Sequence, residues 1–296
     1  MTKVWRIIKH FKGGEWMDPY LLVKREGEDE INVESITPRL HFLGLDNNVA
    51  LTNNYTDLSG IDGSLYNFSS YGKSTTNAKF LLEFSDIYDF KLARHDIYKF
   101  FLQKKLYRIR SHEYPAKVQY IRPVNFDLNI DQDGAKYSTF TIPFENPSGY
   151  MYSLYPCDLL YTYDVGGWQI GMNLPNGQDL DYRFQNLTKF KMYNASDIEI
   201  DPYFQRHELK LIVKHVGKDP FTITNLTTNT SFKFTGTMNE GDTLIVDGVN
   251  AYLNNNLVDD LTSYTYLTLA PGWNNFSVDG ALDLDITFSY YFIYLG

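Results

Sequence analysis

The sequence contains one cysteine, Cys157, so no disulfide can form within the chain. A chain without disulfides is typical of folding in a reducing compartment. No apolar run approaches the roughly 20 residues that a membrane-spanning helix requires, and the apolar stretch at the start is too short and interrupted for a signal peptide. We therefore predict a protein that folds in the cytoplasm and is not inserted into a membrane.

The motifs of common enzyme classes are also missing. There is no Gly-x-Ser-x-Gly elbow, no phosphate-binding glycine loop with lysine and no dinucleotide-binding glycine pattern. The six histidines lack the spacing of a zinc pair, although His207 and His215 could share one face of a strand region. The acidic run from Asp127 to Gly134 lacks the glutamate of a calcium loop and is interpreted as a hairpin turn. These absences predict no catalytic residue, no metal site, no cofactor and no enzyme activity.

What the sequence has in abundance is aromatic side chains, with 24 Tyr, 20 Phe and 4 Trp among 296 residues. Tyr and Phe favour the half-buried surfaces of β-sheets, and this length favours two domains. Charge divides the chain in the same way. Residues 1–148 contain 19 basic and 19 acidic residues, whereas residues 149–296 contain 8 and 17. A neutral half can approach copies of itself without long-range repulsion, while an acidic half stays solvated; neither half has the basic excess of a dedicated DNA-binding protein.

The first half predicts an α+β domain over residues 1–147. A single long helix is predicted over about residues 86–103. Strand-like runs occur at residues 4–8, 20–23, 39–43, 106–110, 118–124 and 136–144. Ser85 is placed to cap the helix, and Ile87, Phe90, Ala93, Ile97, Phe100 and Phe101 fall on one face of it. Pro115 before the run at residues 118–124 and Pro123 near its end stand at positions that an edge strand tolerates.

Residues 46–78 form a long polar stretch without helical periodicity. A loop of this length in a compact domain is usually functional. It could be disordered on composition alone, but it carries regularly placed apolar side chains. We therefore predict a long hairpin that binds a neighbouring subunit through Leu51, Tyr55, Leu58, Ile61, Tyr66, Phe68 and Tyr71.

Turn-rich residues 145–149 predict a domain boundary, followed by a β-sandwich or jelly roll over residues 148–296. Short strand-like runs recur there between Asn-, Gly- and Asp-rich turns. They lie at residues 209–213, 221–223, 231–234, 243–246, 264–269 and 285–294. Trp168 and Trp273 occupy turn-rich settings, where an exposed indole could stack on a sugar ring, although a Trp closing the sandwich core is the commoner arrangement.

Three short runs follow one another in the second half: Ile-x-Asn-x-Thr-Thr at residues 223–228, Gly-Asp-x-Leu-x-Val-Asp at 241–247, and Leu-x-Pro-Gly-x-Asn at 269–274. In this order they resemble the distal tail protein family of phages that infect Gram-positive bacteria. Residues 190–213 resemble earlier strands of the same domain, and the helix with its following strands resembles the family's first domain.

The resemblance implies a structural virion protein. The first domains of six copies would form a split-barrel ring through which the genome and the tape-measure protein pass, with a galectin-like sandwich outside it. The ring would join the tail tube to the tail-associated hub protein, and rings of this family often anchor receptor-binding proteins. The alternatives are a carbohydrate-binding module using Trp168 and Trp273, and a wall-degrading enzyme. A basic cluster is formed by Lys99, Lys104, Lys105, Arg108 and Arg110. We interpret it as a solvated or intersubunit face in preference to a DNA-binding surface.

Overall fold

The computed structural model describes residues 10–12, 15–130, 132–159, 167–175, 177–178, 180–281 and 283–296. The chain divides into two compact units, of which unit 1 comprises Met1–Met151 with Leu295–Gly296 and unit 2 comprises Tyr152–Tyr294. The run predicted at residues 4–8 lies outside the described residues. No helix in the described part of the chain is long and apolar enough to cross a membrane.

Unit 1 combines antiparallel sheet with a single α-helix in its described residues. Its strands are β1 His10–Lys12, β2 Glu15–Met17, β3 Leu21–Arg25, β4 Glu30–Asn32, β5 Leu40–Asp46, β6 Leu51–Asp57, β7 Ser64–Tyr71, β8 Ser74–Glu83, β9 Tyr107–Ser111, β10 Lys117–Pro123 and β11 Tyr137–Asn146, its helix is α1 Ile87–Phe101, and Val33–Ser35 forms a 3₁₀ turn. The main sheet has the order β4-β3-β9-β10-β11-β8-β5, while β1–β2 and β6–β7 are separate hairpins.

The core of unit 1 lies between α1 and this sheet. Along β8, side chains alternate between the interior and the outside, which places Phe80 and Leu82 in the core. Phe101 at the end of α1 packs against Phe80, with ring centroids 6.3 Å apart, and against Phe144 at 5.7 Å. The predicted α+β arrangement of one helix on an antiparallel sheet is confirmed.

The helix begins one residue later than its predicted cap. Asp86, not Ser85, is the N-cap, and its carboxylate accepts hydrogen bonds from the backbone N–H groups of Tyr88 (2.8 Å) and Asp89 (2.9 Å). Five residues of the predicted face are buried, namely Phe90, Ala93, Ile97, Phe100 and Phe101. Ile87 was predicted on the same face but is 46% exposed, because it borders the outer side of the first turn.

Strand β10 is not an edge strand, contrary to the prediction from its prolines. It pairs with β9 through residues 119–121 and with β11 through residues 122–123. Pro115 precedes the strand, and Pro123 is its last residue, so neither proline removes a donor from the centre of the ladder.

Most of the predicted basic cluster is paired within unit 1. Arg110 donates to both carboxylate oxygens of Glu30 from its Nε, at 3.1 and 3.0 Å, and Arg108 Nη2 lies 2.9 Å from the same carboxylate. Lys105 Nζ donates to Glu28 at 3.0 Å. Burial opposes ionisation of Glu30, but the hydrogen bonds and charges of Arg110 and Arg108 outweigh it, so its pKa is lowered. These cations therefore stabilise unit 1 internally.

Replacing this carboxylate is expected to destabilise unit 1 by about 1–2 kcal/mol at neutral pH, because it removes charge-assisted bonds at a half-buried site. A lowered folded-state pKa contributes stability above the ordinary value of 4.5, and this contribution is lost as the pH falls through the folded-state value. The difference between wild type and Glu30→Gln in denaturant unfolding should therefore shrink below pH 4.5. The control Glu145→Gln removes an exposed pair with Lys73 and should cost less than about 0.5 kcal/mol. An equal loss for the two variants would contradict this account.

Unit 2 is a sandwich of two antiparallel sheets. The chain enters it within β12 Met151–Ser153, and the later strands are β13 Arg183–Gln185, β14 Lys189–Asn194, β15 Lys210–Lys214, β16 Phe221–Asn225, β17 Thr230–Phe234, β18 Leu244–Asp247, β19 Asn250–Leu253, β20 Asn256–Leu257, β21 Gly272–Asp279, β22 Asp285–Ser289 and β23 Ile293–Tyr294, with a 3₁₀ turn at Asp259–Leu261. One sheet has the order β13-β22-β15-β18-β19-β20 and the other β14-β21-β16-β17.

Aromatic side chains join the two sheets. Phe184 of one sheet stacks on Phe190 of the other at 4.0 Å, and Phe276 packs on Phe288 at 5.1 Å. The predicted sandwich is confirmed. The prediction of a strand at residues 264–269 is wrong, since only Leu269 forms an isolated bridge, to Ile200. Strand β21, immediately after it, was missed.

Candidate interaction surfaces

The predicted hairpin is present as β6 and β7, which stand clear of the rest of unit 1. Every residue from 51 to 70 is exposed. The strands pair from Leu51–Tyr71 to Asp57–Ser64, with a bulge between Asn54 and Tyr55. A pairing held only by its own hydrogen bonds has little intrinsic stability in water, so side-chain contacts within the hairpin matter.

Polar side chains reinforce the hairpin on both faces. Asn67 donates to Asn54 (2.7 Å) and to Thr56 (2.8 Å), which places these three residues on one face. The cross-strand partners of Asn54 and Thr56 are Phe68 and Leu65, so these apolar side chains share that face. Tyr55 and Tyr66 form an edge-to-face pair on the opposite face, with centroids 5.9 Å apart.

The apolar side chains of the hairpin point outwards. Leu51, Tyr55, Leu58, Ile61, Leu65, Tyr66 and Phe68 are 47–64% exposed. Six of the seven residues predicted as the intersubunit contact are in this set; the seventh, Tyr71, is half-buried at the base. An apolar set of this size on a protruding element marks an interaction surface more often than a free one. Leu65 belongs with them by its exposure.

The base of the hairpin is fixed to its own unit. Gly72 N–H donates to Ala50 O (2.8 Å), and Tyr71 packs edge-to-face on Tyr150 at 5.7 Å. Gly149 has a φ of +72°, and a Cβ at this position would lie 2.3 Å from Gly72 O. The close approach of the two backbones therefore requires glycine at residue 149.

A second exposed surface lies on α1 and was missed by the sequence analysis. We call it the α1 outer stripe; it consists of Tyr88, Lys91, Leu92, His95 and Lys99, spaced three or four residues apart on the face opposite the core. Tyr88 is 74% and Leu92 68% exposed. A signal was available, because the spacing of Tyr88 and Leu92 places two large apolar side chains on the side assigned to solvent.

The two tryptophans considered for sugar binding both belong to unit 2. Trp273 is the second residue of β21, where it pairs with Tyr193 across the strands at 5.2 Å and is 42% exposed. Trp168 is half-buried and contacts other residues.

The candidate histidines and the cysteine of unit 2 contact other protein groups. His207 Nδ1 lies 3.1 Å from Glu199 O, whereas His215 Nδ1 lies 2.5 Å from Asp283 Oδ1, so the two rings do not converge. Cys157 is buried, and burial raises the pKa of its thiol well above the ordinary value. Across the described residues, no group of three or more His, Cys, Asp or Glu side chains could hold a metal ion.

Comparison with known proteins gives matches to phage tail components. Residues 29–146 match a family described as the phage tail protein RIFT-related domain. The chain is similar to the Dit protein of phage SPP1, described as a paradigm of the hub adsorption apparatus in phages infecting Gram-positive bacteria, with a TM-score of 0.63 and 12% identity over 92% of this chain and 99% of that chain. No curated protein sequence matches.

Two structures of the phage p2 baseplate in its activated conformation are less similar. The strontium form gives a TM-score of 0.43 over 92% of this chain and 97% of that chain, and the calcium form 0.45 over 93% and 98%, both at 12% identity. The likeness to SPP1 Dit shows a common fold, and the family match is confined to residues 29–146. The predicted resemblance is confirmed.

Proposed function

We propose that this chain is a non-enzymatic ring subunit at the distal end of a siphophage tail, assembled in the host cytoplasm and retained in the virion. Six copies would close a ring through their first domains, residues 1–147, with the hairpin as the segment that reaches the neighbour. The sandwich of residues 148–296 would lie outside the ring. The observation that carries the proposal is the free-standing hairpin, whose apolar side chains contact almost nothing in their own unit.

The geometry of a closed ring supports this use of the hairpin. A cyclic oligomer larger than a dimer needs two different patches on each copy, one that reaches and one that receives. The balanced charge of residues 1–148 allows copies to meet, and the acidic excess of residues 149–296 disfavours packing of the second units on each other. The fold shared with SPP1 Dit is compatible with a hub in an adsorption apparatus.

The partners proposed for this ring follow from its place in a tail. They are the tail tube protein, the tail-associated hub protein, the tape-measure protein and, on the outer units, receptor-binding proteins. The genome would pass through the lumen without sequence-specific contacts. The internal pairing of Arg108 and Arg110 with Glu30 supports this, because it withdraws these cations from a phosphate-binding surface.

The direct test is the mass of the purified full-length chain at micromolar concentrations, by native mass spectrometry and by electron microscopy. We expect a sixfold ring, alone or on addition of the neighbouring tail proteins. A chain that stays monomeric under both conditions contradicts the proposal.

A second candidate function is glycan binding at the host cell wall. It is favoured by Trp273, whose partly exposed indole beside Tyr193 offers a ring face to a sugar. Retention of the full chain on purified host-wall polysaccharide, lost in Trp273→Ala and unchanged in Trp168→Ala, would support it at this position. Absence of retention for the wild-type chain would exclude it.

A further inference from the structure

We propose that the α1 outer stripe is the surface on which the β6–β7 hairpin of a neighbouring copy docks. This inference deepens the proposed ring and rests on it. It assigns the receiving patch, which the comparisons leave open, to five residues of one helix.

The topology places the reaching and receiving patches at opposite ends of the same strand. The hairpin ends at Tyr71 and leads into Ser74, the first residue of β8, whereas α1 begins four residues after Glu83, the last residue of β8. Ten extended residues span about 33 Å. Tyr88 and Leu92, in the first two turns of α1, are therefore remote from the hairpin of their own copy. Patches at opposite ends of a unit generate head-to-tail contacts, as a ring requires.

The two surfaces are complementary in polarity. The first two turns of the stripe present Tyr88 and Leu92, with Ile87 at its border, and all three are 46–74% exposed. The hairpin presents apolar side chains on both faces and at its tip. Each surface exposes apolar area that contacts little within its own unit, and their contact would remove both from water.

The two surfaces also differ in charge. The hairpin segment 47–72 contains Asp57 and Asp62 and no Lys or Arg. The stripe carries Lys91 and Lys99 beside His95, while Asp96 lies at its border. The other two acidic residues at this end of the helix are engaged locally. Asp86 accepts from the N–H groups of Tyr88 and Asp89, and Asp89 accepts from Ser85 N–H at 2.8 Å and pairs with Arg39. An acidic hairpin therefore approaches a basic helix surface, which favours this pairing over contact between two hairpins.

The first test compares two double variants of the full chain by native mass spectrometry over a concentration series. Tyr88→Gln with Leu92→Gln changes the stripe while retaining good helix formers. Tyr264→Gln with Leu226→Gln is the control in unit 2, where the two side chains are 74% and 58% exposed. We expect the stripe variant to need at least roughly tenfold more protein for half-assembly. The control should assemble like the wild type.

The second test uses crosslinking and does not depend on how the double variant folds. Ile61→Cys at the hairpin tip and Leu92→Cys on the stripe are both at exposed positions, and the buried Cys157 is shielded from reagent. The two single variants are mixed and treated with a short bis-maleimide. A crosslinked dimer containing one chain of each kind is expected, and Ile61→Cys alone should give none.

The outcomes separate this inference from the proposed function. A wild-type ring with unchanged assembly of the stripe variant, and no mixed crosslink, overturns the docking site and leaves the ring intact. Crosslinking of Ile61→Cys to itself identifies hairpin–hairpin contacts and also overturns it. A wild-type chain that never assembles contradicts the ring and this inference together.

Discussion

A chain in which Asn-Gly replaces residues 52–70 is expected to remain monomeric at concentrations where the full chain assembles. Leu51 and Tyr71 are directly opposite each other, so a two-residue turn can join them. The change removes the whole protruding part of the hairpin, including six of its exposed apolar side chains. Burying two such side chains in an interface contributes about 3 kcal/mol or more, so assembly should weaken by at least roughly a hundredfold.

The same change should leave unit 1 folded. Residues 52–70 are all exposed, and none of them belongs to the hydrophobic core of unit 1. Shortening a loop also lowers the entropic cost of closing it, by an amount of order 1 kcal/mol or less. We therefore expect an unfolding midpoint close to that of the wild type, together with the loss of assembly.

Analytical ultracentrifugation and thermal unfolding measured on the same samples check both halves of this expectation. A suitable control is Thr52→Ser with Ser70→Ala, which keeps the length of the hairpin and all its apolar side chains. Assembly of the shortened chain at wild-type concentrations would show that the ring closes through another surface. Loss of folding would show that the hairpin stabilises its own unit.

The features predicted best from sequence were those with a clear period. The three- and four-residue spacing of Phe90, Ala93 and Ile97 correctly predicted the helix and its buried face. The hairpin followed from length and composition, because a long polar segment with scattered apolar residues is unusual in a compact domain. Its role at a subunit contact stays a prediction, since the structure holds one copy of the chain.

The misses have identifiable physical causes. Ser85 and Asp86 are both good capping residues, and only the position of the first helical turn decides between them. The α1 outer stripe was missed because the strong apolar face of the helix already accounted for its burial, and Tyr88 and Leu92 lie on the opposite face. In unit 2, the apolar run at residues 264–269 looked like a strand, but the pairing partners belong to β21, whose sequence Asn274-Asn275-Phe276 reads as a turn.

Three buried asparagines explain why apolar patterns mispredict the structure of residues 264–279. Asn194, Asn225 and Asn274 are at most 1% exposed. Asn225 Nδ2 donates to Thr268 O (2.7 Å) and to Asn274 Oδ1 (2.9 Å), and Asn194 Nδ2 donates to Leu269 O (3.1 Å). Asparagine side-chain amides thus donate to the carbonyl oxygens of residues 268–270, where a strand would have used a ladder. Asn225 and Asn274 belong to two of the motifs that carried the family resemblance.

Removing one of these amides is expected to destabilise unit 2 severely. Asn274 Oδ1 accepts from Ala270 N–H (2.9 Å) and from Asn225, and its Nδ2 donates to Ala270 O (2.7 Å) and Gly272 O (3.1 Å). In Asn274→Ala each of these groups loses one hydrogen bond, at about 1–3 kcal/mol for each group that stays unsatisfied. Asn225 Nδ2 keeps its bond to Thr268 O, and Ala270 O keeps its bond to Asn194 Nδ2. We expect a total loss of about 3–5 kcal/mol, a large fraction of the stability of a typical domain.

The neighbouring residue provides a matched control for this loss. Asn275 is exposed, and its Nδ2 makes one long contact, 3.4 Å, with Thr227. Asn275→Ala should therefore change the free energy of unfolding by less than about 1 kcal/mol. Hydrogen exchange measured by mass spectrometry separates the two units, because faster exchange in Asn274→Ala should appear in peptides from residues 189–279 and not in those from α1. If both variants exchange like the wild type, the amide network does not hold this end of the sandwich together, and the shared motifs need another physical reason.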